Sequence, residues 1–370
     1  MKMIGIIDAD LIGRKKHRFP NLACMKLSGF HKDKGDTVQL VTNYDNLSQY
    51  DKVYVSKVFT DTPIPVEILS LPNVEYGGTG FAWDKAIPLP SDIEHHMPDY
   101  TLYDEWVENC IASGKKPSEF KMYTDYSIGF LTRGCFRKCG FCVNKHYNQV
   151  EFHANLSEFY NPFRKKICFL DDNFFGYKNC INIMKELKNI NKPIIFKQGL
   201  DIRLLTPKKC ELLFSLKYDG DYIFAFDNYD DYDLIHEKLE LIRQYTPSAR
   251  IKFYVLVGYK NTDIEDIIEM WERIALLMRY RCLPYIMRYR SETDAPYEQS
   301  AYRGVYIYTA KWCNQPPIFK KMSFREFCEK DNCNAKNGDK ASMRALKLIE
   351  EQYPDVAKKF FDLKFGEQTN

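Results

Sequence analysis

The sequence predicts an α/β protein in three parts and a linker. A small parallel-sheet domain spans residues 1–83, a linker 84–120, a partial (β/α)6 TIM-like barrel 121–292 and a mainly helical extension 293–370. Three observations predict this. Apolar, β-branched runs alternate with helical or loop segments, as parallel sheets require. From Ser127 onward six such runs recur, and polar residues or glycine collect at their carboxyl ends. Beyond Arg290 the alternation stops and helix-start signals take over.

The first domain opens with the apolar run Met3 to Ile7, ending at Asp8. A helix is expected from about Asn21 to Phe30, then strands at Thr37 to Val41 and Lys52 to Val58. Ligands approach such sheets at the carboxyl ends of strands, which marks Asp8 and Gly77-Gly78. The basic run Arg14 to Arg18, with His17 inside it, reads as a surface loop. From Trp83 to Phe120 the periodicity breaks and Pro88, Pro90 and Pro98 intervene, so this stretch reads as a connection. His95 and His96 there read as exposed residues before metal ligands.

The barrel strands follow in order. One precedes Cys135. Lys166 to Leu170 ends at Asp171-Asp172-Asn173, and Pro193 to Lys197 ends near Gln198-Gly199, with Arg203 beyond. Tyr222 to Phe226 ends at Asp227-Asn228, Ile251 to Val257 at Gly258, and Pro284 to Met287 at Arg288. Thr262-x-x-Glu265 forms a capping box for a helix from Ile264 to Leu277. Parallel barrels gather the loops that follow their strands on one face, and their active sites lie there. In the extension, Ser323-x-x-Glu326 is another capping signal and Lys340 to Phe361 has helical spacing. Cys313, Cys328 and Cys333 lack a C-x2-C pair and read as buried thiols. An auxiliary cluster recruiting Cys282 is the alternative.

Composition narrows the function. The 53 cations nearly balance 50 anions, a net charge of +3, so no global field marks a nucleic-acid or membrane binder. Twelve cysteines occur without a signal-peptide pattern or an apolar run near membrane length, which suggests a reducing cytoplasm. The 26 tyrosines and 25 phenylalanines suit a large packed core, and equally stacking surfaces for a planar substrate.

Chemistry concentrates in SIGFLTRGCFRKCGFCVNK, from Ser127 to Lys145, where Cys135, Cys139 and Cys142 stand in C-x3-C-x2-C spacing. Arg137, Lys138 and Gly140 separate them, so the three cannot all bury as core side chains. They read as metal ligands, with nearby cations favouring thiolate. Structural zinc closes with four protein ligands. An iron–sulfur cluster on three cysteines leaves one iron open.

The spacing, with Phe141 just before the last cysteine, resembles the signature loop of the radical S-adenosylmethionine enzymes. The resemblance implies that the three cysteines hold a [4Fe–4S] cluster whose fourth iron is chelated by S-adenosylmethionine. One electron then releases methionine and a 5′-deoxyadenosyl radical, which takes hydrogen from a substrate. It covers about residues 124–290 and implies an electron donor such as flavodoxin or ferredoxin. FLDDNFFG stands where the family has Gly-Gly-Glu, so Asp171 or Asp172 would meet the ammonium of S-adenosylmethionine. Arg203 would clamp its carboxylate, Asp227 accept from the ribose hydroxyls, the backbone at Val257 and Gly258 meet adenine, and Met287 or Tyr289 line the pocket. Tyr126, Tyr285 and Tyr289 are relay candidates whose plain reading is packing.

The amino-terminal stretch FPNLACMKLSGFHKDKGDTVQLV, with HHMPDYTLYDEW, is similar to the Rossmann-like, cobalamin-binding-like domain of one large class of that family. Members ligating cobalt from below carry Asp-x-His-x-x-Gly. Here Asp8-Ala9-Asp10-Leu11-Ile12-Gly13 puts an aspartate in the histidine's place, and a carboxylate is a poor substitute for imidazole. The expectation is a domain that keeps the fold without cobalamin, with cobalamin-dependent methyl transfer as the alternative. The substrate, small molecule or biopolymer, stays open. A further alternative is a non-catalytic nucleic-acid-binding protein in which zinc joins the three cysteines and His146.

Overall fold

A computed structural model of the chain describes residues 1–291, 293–336 and 338–367. The expected end of the barrel segment, residue 292, lies outside the described residues. The fold is mixed α/β, and every described sheet of more than two strands is parallel. It divides into two compact units: Met1–Tyr177 with Ile190–Lys197, and Lys178–Asn189 with Gln198 onward. No helix of the described residues is long and apolar enough to cross a membrane.

The first unit opens on a sheet of β1 (Met3–Asp8), β2 (Thr37–Leu40), β3 (Lys52–Ser56) and β4 (Val74–Gly77), ordered β2-β1-β3-β4. The middle strand β1 is covered on both faces, so its sequence is a continuous apolar run with Ile4, Ile6 and Ile7 fully buried. Beside it packs the helix Leu22–Asp33, whose N-cap Asn21 accepts from the backbone of Cys24 at 3.2 Å. β3 stops at Ser56, short of the expected Val58, because the Val58 N–H is captured by the Asp10 carboxylate at 2.7 Å. β4 ends at Gly77, the strand end marked in the sequence, and is short and largely exposed.

A second sheet of this unit pairs β5 (Tyr126–Gly129), β8 (Lys166–Phe169) and β9 (Ile194–Phe196) in the order β5-β8-β9. Between β5 and β8, the antiparallel hairpin of β6 (Thr132–Arg133) and β7 (Glu151–Phe152) encloses the cysteine loop. Residues 84–120 do more than connect. Tyr100, Tyr103, Val107 and Phe120 are buried in one cluster with Ile4, Ile6 and Leu27. The prolines interrupt helices there, yet the aromatic residues still bury, since apolar area drives packing whatever the local periodicity.

The second unit holds β10 (Tyr222–Ala225), β11 (Ile251–Val257) and β12 (Leu283–Arg288), in that order, with an isolated bridge from Leu200 to Phe224. The helix Ile264–Arg279 is capped by Asp263, which accepts from the backbone of Glu265 and Asp266. That shifts the cap one residue from the expected Thr262; Asp is a strong N-cap and stands closer to the first turn. The Ser323/Glu326 capping box forms as expected. The helices Ala341–Gln352 and Pro354–Phe360 fill the segment read as helical. They accompany an aromatic core in which Trp271 stacks on Trp312 at 5.7 Å and meets Phe324 and Phe361. Cys313 and Cys328 are buried thiols and Cys333 is exposed, while Cys282 is buried against the Arg243 guanidinium at 3.5 Å.

Candidate functional site

The cysteine loop is held at its base by the two aspartates that follow β8. Asp171, 1% exposed, accepts from Leu131 N at 3.2 Å and from Thr132 N and Oγ1 at 2.7 Å each. Burial pushes its carboxyl up to about 6, against the lowering effect of those three donors. Asp172 accepts from Gly134 N and from Asn144 Nδ2, both at 2.8 Å, and so bridges the two ends of the loop. Gly134 sits at φ +88°, and a Cβ there would lie 2.7 Å from the Gln149 carbonyl oxygen. Lys138 Nζ closes the loop from inside, donating to Lys145 O at 2.9 Å, Asn148 Oδ1 at 2.8 Å and the Tyr147 carbonyl. The carboxylates expected to meet an ammonium are thus engaged in shaping the cysteine loop.

All three cysteines are partly exposed, as is Phe141. The Cys135 sulfur accepts from Arg137 N at 3.4 Å and from Asn173 Nδ2 at 3.3 Å; the Cys142 sulfur accepts from Asn144 N at 3.4 Å. Amide donors aimed at sulfur stabilise thiolates and, in iron–sulfur proteins, tune the cluster. Asn173, 4% exposed, leaves its Oδ1 buried without a partner beside Cys135. A donor set of soft sulfurs that accept from N–H groups suits an iron–sulfur cluster. Among the described residues no three His, Cys, Asp or Glu side chains stand gathered as a preformed metal site. His146 is exposed, with Nδ1 3.1 Å from the Val143 carbonyl oxygen, and its ring lies on Tyr147 at 4.3 Å.

The remaining expected residues lie in the second unit. Arg203 is forked onto Asp201, at 2.7 and 3.2 Å, and bonds Asp231 at 2.7 Å. Burial opposes its charge, yet the two carboxylates hold the guanidinium pKa above its ordinary value. Asp227 accepts from Leu256 N at 3.1 Å, and burial pushes its carboxyl up to about 6. Gly258, at φ +67°, donates its N–H to Asp266 at 2.9 Å. Met287 is partly buried on β12, opposite Leu256.

Three residues of this unit escaped the sequence reading. Arg273, 2% exposed, donates Nη1 to Phe226 O at 3.0 Å, Leu256 O at 2.8 Å and Asp227 O at 3.4 Å, and so joins the carboxyl ends of β10 and β11. Burial lowers its pKa, and Asp266 and Asp227 raise it. Tyr306 donates to Asp266 at 2.6 Å. The signal was present: Asp266 and Arg273, seven apart, sit in the same apolar stripe as Ile267, Met270 and Ile274.

In the amino-terminal sheet the chain crosses over between β1 and β3, the switch point where ligands bind such folds. Asp10, the aspartate standing where the resemblance expects a histidine, is 1% exposed and accepts from Val58 N, Phe59 N and the Thr62 hydroxyl. Asp8 accepts from Tyr103 Oη at 2.9 Å and Leu11 N at 3.3 Å, and burial pushes its carboxyl up to about 7. Protonated Asp8 favours the fold, since in the unfolded chain the group ionises near pH 4. Its contribution is complete below about pH 4 and lost as pH rises through about 7, by up to roughly 4 kcal/mol. Asp8→Asn should therefore gain stability relative to the parent between pH 4.5 and 8 in urea titrations. A pH-independent difference between the two would contradict this.

No protein-family model and no curated protein matches the chain.

Proposed function

We propose that the chain is a radical S-adenosylmethionine enzyme in which Cys135, Cys139 and Cys142 hold a [4Fe–4S] cluster. The observation that carries this reading is the three-cysteine loop at the carboxyl end of a parallel strand, with amide N–H groups aimed at its sulfurs and the Asp172 carboxylate joining its two ends. Such a cluster, when bound, supplies the electron that cleaves the sulfonium, a flavodoxin or ferredoxin being the donor class. The chain's own part is placement. Asp171 and Asp172 fix the loop, and Asn173 donates to one ligand sulfur. Arg203, Asp227, Gly258 and Met287 lie in the second unit, and their roles toward S-adenosylmethionine rest on the sequence resemblance alone. The finer fold reading, a partial (β/α)6 TIM-like barrel after a cobalamin-binding-like domain, belongs to the same proposal and is supported by a parallel three-stranded sheet in each unit. Cobalamin is left out, because Asp10 is tied to the loop after β3.

Anaerobic reconstitution tests the reading. About four irons with matching sulfide, a brown colour and a reduced-state paramagnetic signal that changes on adding S-adenosylmethionine are expected. A colourless protein with one tightly held zinc would replace it by the zinc-stapled alternative.

A further inference from the structure

The near-neutral net charge conceals two cationic stretches. From Leu11 to Lys32 and from Arg133 to Val150 the sequence has no acidic residue. The first carries Arg14, Lys15, Lys16 and Arg18; the second carries Arg133, Arg137, Lys138 and Lys145. Within the first unit a continuous run of contacts joins them. Asp10 and Arg14 bind the loop after β3, through Val58 and Asp61. That loop binds the Gly-Gly-Thr-Gly turn after β4, through Gly80 N to Lys57 O at 2.9 Å and Thr79 Oγ1 to Val58 O at 3.0 Å. The turn continues into Trp83–Lys85, which lies against Val143–His146, directly after Cys142.

Large rings stand exposed along this edge. Phe59 is 41% exposed with the Arg14 guanidinium 4.2 Å from its ring centre, and Phe136 is 39% exposed with Arg137 at 5.2 Å. Trp83 is 48% exposed and sits at φ +49°, ψ −120°, a backbone state that L side chains rarely adopt. Strain of this kind persists where the surroundings impose it, and it concentrates at functional positions. Lys15 and Lys16 are exposed.

We infer that this edge binds single-stranded nucleic acid, with Lys15 and Lys16 on the phosphates and the Trp83 indole as the stacking platform beside the cysteine loop. Cations interleaved with exposed aromatic rings are what unpaired bases and their backbone require. An acidic peptide would answer the cations and leave the rings unused. The inference supplies a substrate class for the proposed enzyme and rests on that reading only for what is done to the bound strand.

The test uses the full chain after anaerobic reconstitution, its iron content measured separately. Fluorescein-labelled 15-nucleotide uridine RNA and thymidine DNA are titrated by anisotropy at several salt concentrations. Lys15→Ala/Lys16→Ala should flatten the log–log salt slope by about 1.4, at roughly 0.7 per lost phosphate contact. Trp83→Ala should weaken binding about five- to a hundredfold with the slope unchanged, and Trp83→Phe should recover part of it. The tighter arm identifies RNA or DNA. Absence of binding in both arms, equal competition by polyglutamate, or parental affinity in Trp83→Ala would each overturn the inference. A protein that binds the strand without holding iron would instead count against the cluster.

Discussion

Arg273→Leu is expected to destabilise the second unit by about 3–5 kcal/mol, the cost of breaking a buried charged hydrogen-bond set. The guanidinium satisfies the Phe226 and Leu256 carbonyls at once and neutralises a region that contains Asp227 and Asp266. Leucine fills part of the space and leaves those carbonyls without a donor and the carboxylates without a counter-charge. Arg273→Lys should recover little, because a point charge lacks the planar fork that reaches neighbouring strand ends together. Urea unfolding measures both. A leucine variant within 1 kcal/mol of the parent would show that the charge is dispensable.

Asp171→Leu should release the base of the cysteine loop. The change leaves two backbone N–H groups and the Thr132 hydroxyl buried without an acceptor, at about 1–3 kcal/mol for each. Iron retained after reconstitution should fall severalfold, while the aromatic core around Trp271 keeps its near-ultraviolet signal. Asp171→Asn keeps one acceptor and should hold intermediate iron. Full iron loading in Asp171→Leu would mean that the loop needs no anchor there.

Sequence reached some of these features and not others for physical reasons. The cysteine loop was legible as a pattern of residue type and spacing, three cysteines within eight residues set among cations. The strands were legible to within a residue or two because parallel strands covered on both faces are continuous apolar runs. The 84–120 segment looked like a connection because its prolines break periodicity, whereas the burial of Tyr100, Tyr103 and Phe120 depends on partners distant in the chain. The same holds for Arg273, whose acceptors are backbone carbonyls of two other elements and carry no side-chain signature. Asp171 and Asp172 were recognised as important by position, but their bonds to Leu131, Thr132, Gly134 and Asn144 depend on the tertiary fold. Net charge hid the basic edge, since a sum says nothing of where the charges lie.

The most direct test of the central claim is the anaerobic formation of 5′-deoxyadenosine from S-adenosylmethionine by the reduced, reconstituted protein, followed by chromatography beside a Cys139→Ala control. The account predicts deoxyadenosine from the parent and none from the control. A brown, reducible parent that forms no deoxyadenosine with any of several reductants, or a control that forms as much as the parent, would contradict it.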